Sequence, residues 1–186
     1  MKKEKREAML LWGGRWGVFF CVLVFAASAS AAKPRRWNET RSANAARDLL
    51  KSAAMAMYNH RAQAHYTRDW SLRWYGINHN VHPPNAPKYS DCSSAATWVY
   101  WTVFGRGKDF LNNEGWKAGN TDSMIKHGRT VPLSQLRIGD LVFYGHPVGH
   151  VAIFVGNGMV ISHGGDPVCH CSLHYRKDLN HARTYF

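Results

Sequence analysis

The run Tyr89-Ser90-Asp91-Cys92-Ser93-Ser94-Ala95-Ala96-Thr97-Trp98-Val99-Tyr100-Trp101 constrains the fold more than any other stretch. Apolar residues recur at Ala95, Ala96, Val99, Tyr100, Val103 and Phe104, which is helical spacing. Ser90 or Asp91 can cap the start and Gly105 can stop the end. A helix this apolar has to be buried, and it carries Cys92 in its first turn, among backbone N–H groups with no acceptor inside the helix. There the positive end of the helix dipole favours thiolate over thiol, so a low thiol pKa is expected. The position suits a nucleophilic cysteine, and it equally suits a small buried one.

Gly149-His150-Val151-Ala152-Ile153-Phe154-Val155-Gly156-Asn157-Gly158-Met159-Val160-Ile161-Ser162-His163 reads as two short strands joined at Gly-Asn-Gly, a strong hairpin pattern. One histidine opens the first strand and another closes the second. A cysteine at a helix start with histidines on a neighbouring sheet is what thiol catalysis needs. One imidazole takes the thiol proton, and a further polar group orients that imidazole.

Asp-Cys-Ser-Ser before an aromatic helix, Leu136-Arg137-Ile138-Gly139-Asp140-Leu141-Val142-Phe143-Tyr144, and Gly-His-Val-Ala-Ile-Phe-Val-Gly-Asn-Gly together resemble the NlpC/P60 cell-wall cysteine peptidases. The resemblance spans roughly residues 70 to 164. Its flanks, Tyr66-Thr67-Arg68 to Arg73-Trp74, His82-Pro83-Pro84-Asn85 and Arg183-Thr184-Tyr185-Phe186, are similar to the peptidase domains of actinobacterial phage lysins. The resemblance implies a papain-like α+β fold with Cys92 as nucleophile and His150 as general base. It also implies an oxyanion site at the Cys92 N–H, and no metal or other cofactor.

In that family the group orienting the base falls twelve positions after the histidine, which here is Ser162, with His163 next. In an ideal strand the two side chains face opposite ways. His163 is expected to be the third catalytic group, because imidazole can donate or accept, and this requires a one-residue bulge. Ser162 is the alternative and Asp166 an outside candidate. Ser94 stands where the family usually has glycine, and its extra bulk is expected to alter how substrate approaches. Asp91 is expected to cap the helix or position backbone. Arg73-Trp74-Tyr75-Gly76 is similar to the family's aromatic-glycine block, which makes Tyr75 a site candidate. His146 lies near enough to His150 to reach the pocket rim.

The remaining chain supports one domain. Ala45, Leu49, Ala53 and Met57, joined by Leu50, Ala54 and Tyr58, mark an amphipathic helix from about 42 to 62. Residues 66 to 90 lack periodicity and read as irregular, laying Trp70, Trp74 and Tyr75 near the cysteine helix. A loop over 105 to 120 and a short helix over 121 to 127 follow. Strands are expected at Leu141 to Tyr144, His150 to Val155, Met159 to His163, near Cys171 to Tyr175, and Ala182 to Phe186. Helices followed by antiparallel strands make an α+β domain over residues 42–186.

Residues 1–32 combine a basic opening, an apolar run from Trp16 to Ala27 and a small-residue segment, the pattern of a secretory signal peptide. Residues 33–41 read as a connector. Without residues 1–32 the chain keeps 19 basic and 10 acidic residues, a net +9, against +12 for the whole. That charge asks for an anionic setting. The basic residues are scattered and form no nucleic-acid motif, so an acidic bacterial wall is expected rather than nucleic acid. A secreted, wall-located monomer with no stable membrane association is expected. Removal of the leader also leaves Cys92, Cys169 and Cys171, an odd count that points to one unpaired thiol. Cys169-His170-Cys171 offers metal donors at cramped spacing, and a local disulfide or two surface thiols fit better.

Three functions fit these residues. The first is a peptidase acting on peptidoglycan stem peptides, by resemblance at D-γ-glutamyl-diaminopimelate bonds. The second is an N-acetylmuramoyl-L-alanine amidase of CHAP type. The third is a non-catalytic basic wall-binding protein, against which stand the intact Cys92 and His150.

Overall fold

A computed structural model of the chain describes residues 43–105 and 120–185. The expected leader and connector lie outside the described residues, as do Phe186 and nearly all of the expected 105–120 loop. In chain order the elements are α1 (Ala43–Asn59), β1 (His65–Tyr66), α2 (Trp70–Asn78), β2 (Tyr89–Ser90), α3 (Cys92–Phe104) and α4 (Thr121–Lys126). There follow β3 (Arg129–Thr130), a 3-10 turn (Leu133–Gln135), β4 (Leu141–Tyr144), β5 (His150–Gly156), β6 (Met159–Ser162), β7 (Cys169–Ser172) and β8 (Leu179–Thr184). The six later strands form one antiparallel sheet in the order β3-β8-β4-β5-β6-β7, and β1 pairs in parallel with β2 beside it.

Strand alternation decides what each face meets. Leu141, Phe143, Val151, Ile153, Val155 and Ile161 pack against Leu50, Ala53, Ala54 and Met57 of α1 and Ala96 and Val99 of α3. Val142, Tyr144, Ala152, Phe154, Val160 and Leu173 form a second cluster on the opposite face. Because β4 is buried on both faces, its residues form an unbroken apolar run, not an alternating one. The arrangement is the expected α+β architecture, with the cysteine helix against an antiparallel sheet.

Two tight features lock α1 to the sheet. Arg47 Nη1 donates to Asp140 Oδ1 at 2.8 Å and to the Ile138 carbonyl at 2.6 Å, a buried ion pair at the entry to β4. Gly139, at φ +91°, lies so close to Leu50 that a Cβ would stand 2.6 Å from Leu50 Cδ1. In the β5–β6 turn Asn157 (φ 52°) and Gly158 (φ 69°) both take the left-handed conformation that this tight hairpin requires.

One expectation fails here. Residues 70–78 are helical, not irregular. The Asp69 carboxylate accepts the Leu72 N–H at 2.9 Å and so caps the first turn. The helix carries large apolar residues on several sides, so no stripe shows in the sequence: Trp74 is buried, while Trp70 and Tyr75 are exposed. Among the described residues no helix is long and apolar enough to cross a membrane.

Candidate active site

Cys92 opens α3 because Asp91 caps it. The Asp91 carboxylate accepts the Ser94 N–H at 2.7 Å, and Ser94 Oγ in return accepts the Asp91 N–H at 2.8 Å, a closed capping box. Ser94 is therefore buried under the cap, and its hydroxyl completes the box rather than facing substrate, contrary to expectation. Arg73 from α2 pairs with the other Asp91 oxygen. Burial alone would raise the Asp91 carboxyl, but the Ser94 N–H and the Arg73 guanidinium hold it below its ordinary value.

The Cys92 thiol is the free cysteine among the described residues and is only 9% exposed. It lies 3.9 Å from Thr121 Oγ1 at the start of α4, and the backbone N–H of Val151, next to His150 at the start of β5, favours its charged form. Burial pushes the thiol above its ordinary value and Asp91 adds to the rise. The Val151 and Ser93 N–H groups and Thr121 pull it back without reversing it. The low thiol pKa expected from the helix start is thus overridden by desolvation and an adjacent carboxylate.

His150 is buried, and burial, assisted by Arg176, drives its pKa down to about 4. Burial thus favours the neutral form of each group. His150 Nε2 lies 2.7 Å from Ser162 Oγ, and Ser162 Oγ lies 3.0 Å from the Tyr175 hydroxyl.

His163 does not reach His150. Ile153 pairs with Ile161 and Phe154 with Val160, so even-numbered residues of β5 and β6 share a face, and Ser162 joins His150 on it. The one register irregularity falls between Phe154 and Gly156, at the hairpin end, too far away to rotate His163. His163 instead points to the opposite face. There Nδ1 meets Ser90 Oγ at 2.6 Å and Nε2 meets Asp166 Oδ1 at 3.2 Å, while Tyr66 stands edge-on to the ring. Asp166 also accepts the Tyr66 N–H, at 2.6 Å. Asp166 is thus a partner of His163 and β1, not of His150.

Tyr75 is exposed and stacks on His79. The tyrosines that feel the thiol are Tyr66 and Tyr175: burial raises both hydroxyl pKa values, and Cys92 raises both further. His146 meets Asn180 at 3.0 Å. Cys169 and Cys171 are joined as a disulfide, so their sulfurs are not offered as metal ligands. Among the described residues no group of three His, Cys, Asp or Glu side chains is arranged to hold a metal. Tyr175, Thr121 and Gly164 complete the surroundings of the thiol and base, and no motif or periodicity in the sequence marks them.

Several solved structures share this fold. The NlpC/p60 domain of the peptidoglycan hydrolase SagA is 24% identical with a TM-score of 0.50, over 73% of this chain and 97% of that one. The peptidoglycan hydrolase RipB of Mycobacterium tuberculosis is 18% identical with a TM-score of 0.54, over 78% of this chain and 69% of that one. NlpC1 of Trichomonas vaginalis is 20% identical with a TM-score of 0.52, over 81% of this chain but only 47% of that one. Among curated proteins, none matches the chain. The NlpC/P60 family pattern matches residues 73–183, which takes in α3, the β5–β6 hairpin and the Ser162–Tyr175 contact. With the papain-like fold and a match over most of its length, this chain belongs to the NlpC/P60 family.

Proposed function

We propose that the protein is an exported cysteine peptidase that hydrolyses peptide bonds in peptidoglycan stem peptides, at D-γ-glutamyl-diaminopimelate. One observation carries the reading: Cys92 opens α3 as a free, buried thiol, and His150, at the start of β5, has its Nε2 2.7 Å from Ser162 Oγ, twelve residues on. Family membership supports a cell-wall peptidase role. The basic opening and apolar run of residues 1–32 support export, and the net charge of +9 that remains without them suits an anionic wall.

In this reading His150 Nδ1 takes the thiol proton as Sγ attacks the scissile carbonyl. The oxyanion is received by the Cys92 N–H, which lies in the first helical turn and has no acceptor within the helix. His150 then protonates the leaving amine, and water releases the acyl group by the same steps in reverse order of proton transfer. Ser162, replacing the expected His163, holds Nε2 throughout.

Incubating the chain without residues 1–32 with defined muropeptides, and weighing the fragments by mass spectrometry, tests this. Fragments ending at D-glutamate, absent with Cys92→Ala, are expected. Release of intact stem peptide from the sugar would instead mean an amidase, and no product at all would mean a binding protein. The acid side of the rate profile gives a second expectation. His150 accepts a proton only when neutral, and burial sets its pKa at about 4. So kcat/KM should hold from neutrality down to about pH 5 and fall tenfold per unit below about pH 4. A limb centred at about 6.5, the ordinary histidine value, would show that His150 is not the buried base described.

A further inference from the structure

We infer that Tyr175 is a positioning residue for this peptidase: its hydroxyl holds Ser162 Oγ, which in turn holds His150 Nε2, and turnover depends on that relay. The inference rests on the cysteine-peptidase reading above, with His150 as the base.

Serine alone is a poor holder of an imidazole. Its hydroxyl turns about the Cβ–Oγ bond and carries one proton and two lone pairs. If that proton swings toward Nε2, the ring is fixed as the Nδ1–H tautomer, which cannot take a proton from the thiol. If the serine proton is drawn away, a lone pair faces the ring, Nε2 keeps its hydrogen, and Nδ1 is left basic. Something must draw it away. Tyr175 Oη, 3.0 Å from Ser162 Oγ, is placed to accept it. Tyr175 is partly exposed, so its own hydroxyl hydrogen can turn to water.

The need becomes sharper during reaction. Once His150 has taken the thiol proton, both ring nitrogens carry hydrogen, and Ser162 must accept at Nε2 while donating elsewhere. The proton that leaves sulfur stays on Nδ1 until the leaving amine takes it. Ser162 and Tyr175 only hand a hydrogen bond along and exchange no proton with substrate. A buried imidazolium with a depressed pKa has the most to gain from such a chain.

The scaffold holds the phenol in place. Tyr175 follows β7 in a turn closed by its own N–H to the Ser172 carbonyl at 3.0 Å. Its ring stands edge-on to Tyr144 (5.3 Å between centroids) and edge-on to His150 (6.5 Å). Tyr144 is itself anchored by its hydroxyl to the Leu173 carbonyl at 2.9 Å. A phenylalanine at 175 keeps these ring contacts and removes only the acceptor.

The test measures kcat and KM across pH on muropeptide for the wild type, Tyr175→Phe, Ser162→Ala and the double variant. In parallel, imidazole nitrogen shifts of His150 read the tautomer. Tyr175→Phe should lower kcat about five- to tenfold, the worth of one neutral hydrogen bond, with KM little changed. Its acid limb should move to lower pH, since the imidazolium has lost support. The double variant should be no slower than Ser162→Ala alone, because the phenol acts only through the serine. Nitrogen shifts should show Nε2–H in the wild type and a mixture in Tyr175→Phe. Wild-type kcat in Tyr175→Phe, independent losses in the double variant, or a raised KM at constant kcat would each overturn the relay. A wild type that cleaves no muropeptide would sink the peptidase reading instead, and the nitrogen shifts would still decide the relay.

Discussion

Replacing His150 with alanine is expected to cost about 10²- to 10⁴-fold in kcat, the usual worth of a positioned general base. His163→Ala should behave differently, although both histidines are buried and thirteen residues apart. His163 is packed between Ser90, Asp166 and the edge of Tyr66, on the face of the sheet turned away from His150. Its loss leaves the Ser90 hydroxyl buried and without its imidazole partner, a penalty of about 1–3 kcal/mol. In a domain of this size that lowers Tm by about 2–4 °C for each kcal/mol. Some loss of rate can accompany it, since Ser90 precedes the Asp91 cap, but the acid limb set by His150 should not move. Acid stability gives a further check. Burial lowers the His163 pKa, with Asp166 only partly offsetting it. The folded state therefore binds this proton less readily than the unfolded chain, and the protein loses stability as pH falls below about 6.5 toward the lower folded value. His163→Ala should weaken that loss. A His163→Ala enzyme as slow as His150→Ala with an unmoved Tm would show that the roles are reversed.

The sequence carried the two halves of this site with unequal clarity. Cys92 and His150 stand in short contiguous patterns, a capped apolar helix and a hairpin, whose local rules fix where each side chain begins. The choice between Ser162 and His163 depended on register across two strands. A period-two strand makes that choice sharp once a bulge is ruled in or out, and a bulge leaves no mark in Met159-Val160-Ile161-Ser162-His163. Chemistry favoured the histidine, geometry selected the serine, and the spacing of twelve was the better guide. Helix α2 was missed because its aromatic residues hide any stripe, although Asp69 three residues before Leu72 was a readable cap. The thiol's environment was misjudged for a different reason. Position in a first turn is local and visible, whereas the burial that outweighs it is made by β5 and α4, far along the chain. Tyr175 and Gly164 reach the base only through tertiary packing.

Gly164→Ala should lower kcat by about 10²-fold, the scale of an ångström-sized misplacement of a catalytic group, with little change in Tm. A Cβ built on Gly164 would stand 2.8 Å from His150 Cε1, 3.3 Å from Nδ1 and 3.4 Å from Nε2. Atoms do not tolerate the first of these distances, so either the ring or the loop has to move. Gly164 is not among the glycines with positive φ, so alanine meets no left-handed backbone strain, and the crowding is against the imidazole. That ring has few places to go. Ser162 holds Nε2 on one side, and the rings of Tyr144 and Tyr175 stand 5.9 and 6.5 Å away. Movement large enough to clear a methyl group stretches the Ser162 bond and displaces Nδ1, the proposed acceptor of the thiol proton. Gly165→Ala is the matched control, because a Cβ there meets nothing within 4 Å. It changes the same loop and the same backbone entropy without touching His150. Equal kcat values for the two variants, or a Gly164→Ala enzyme as fast as the wild type, would show that the ring yields at no cost and that this glycine does not set the position of the base.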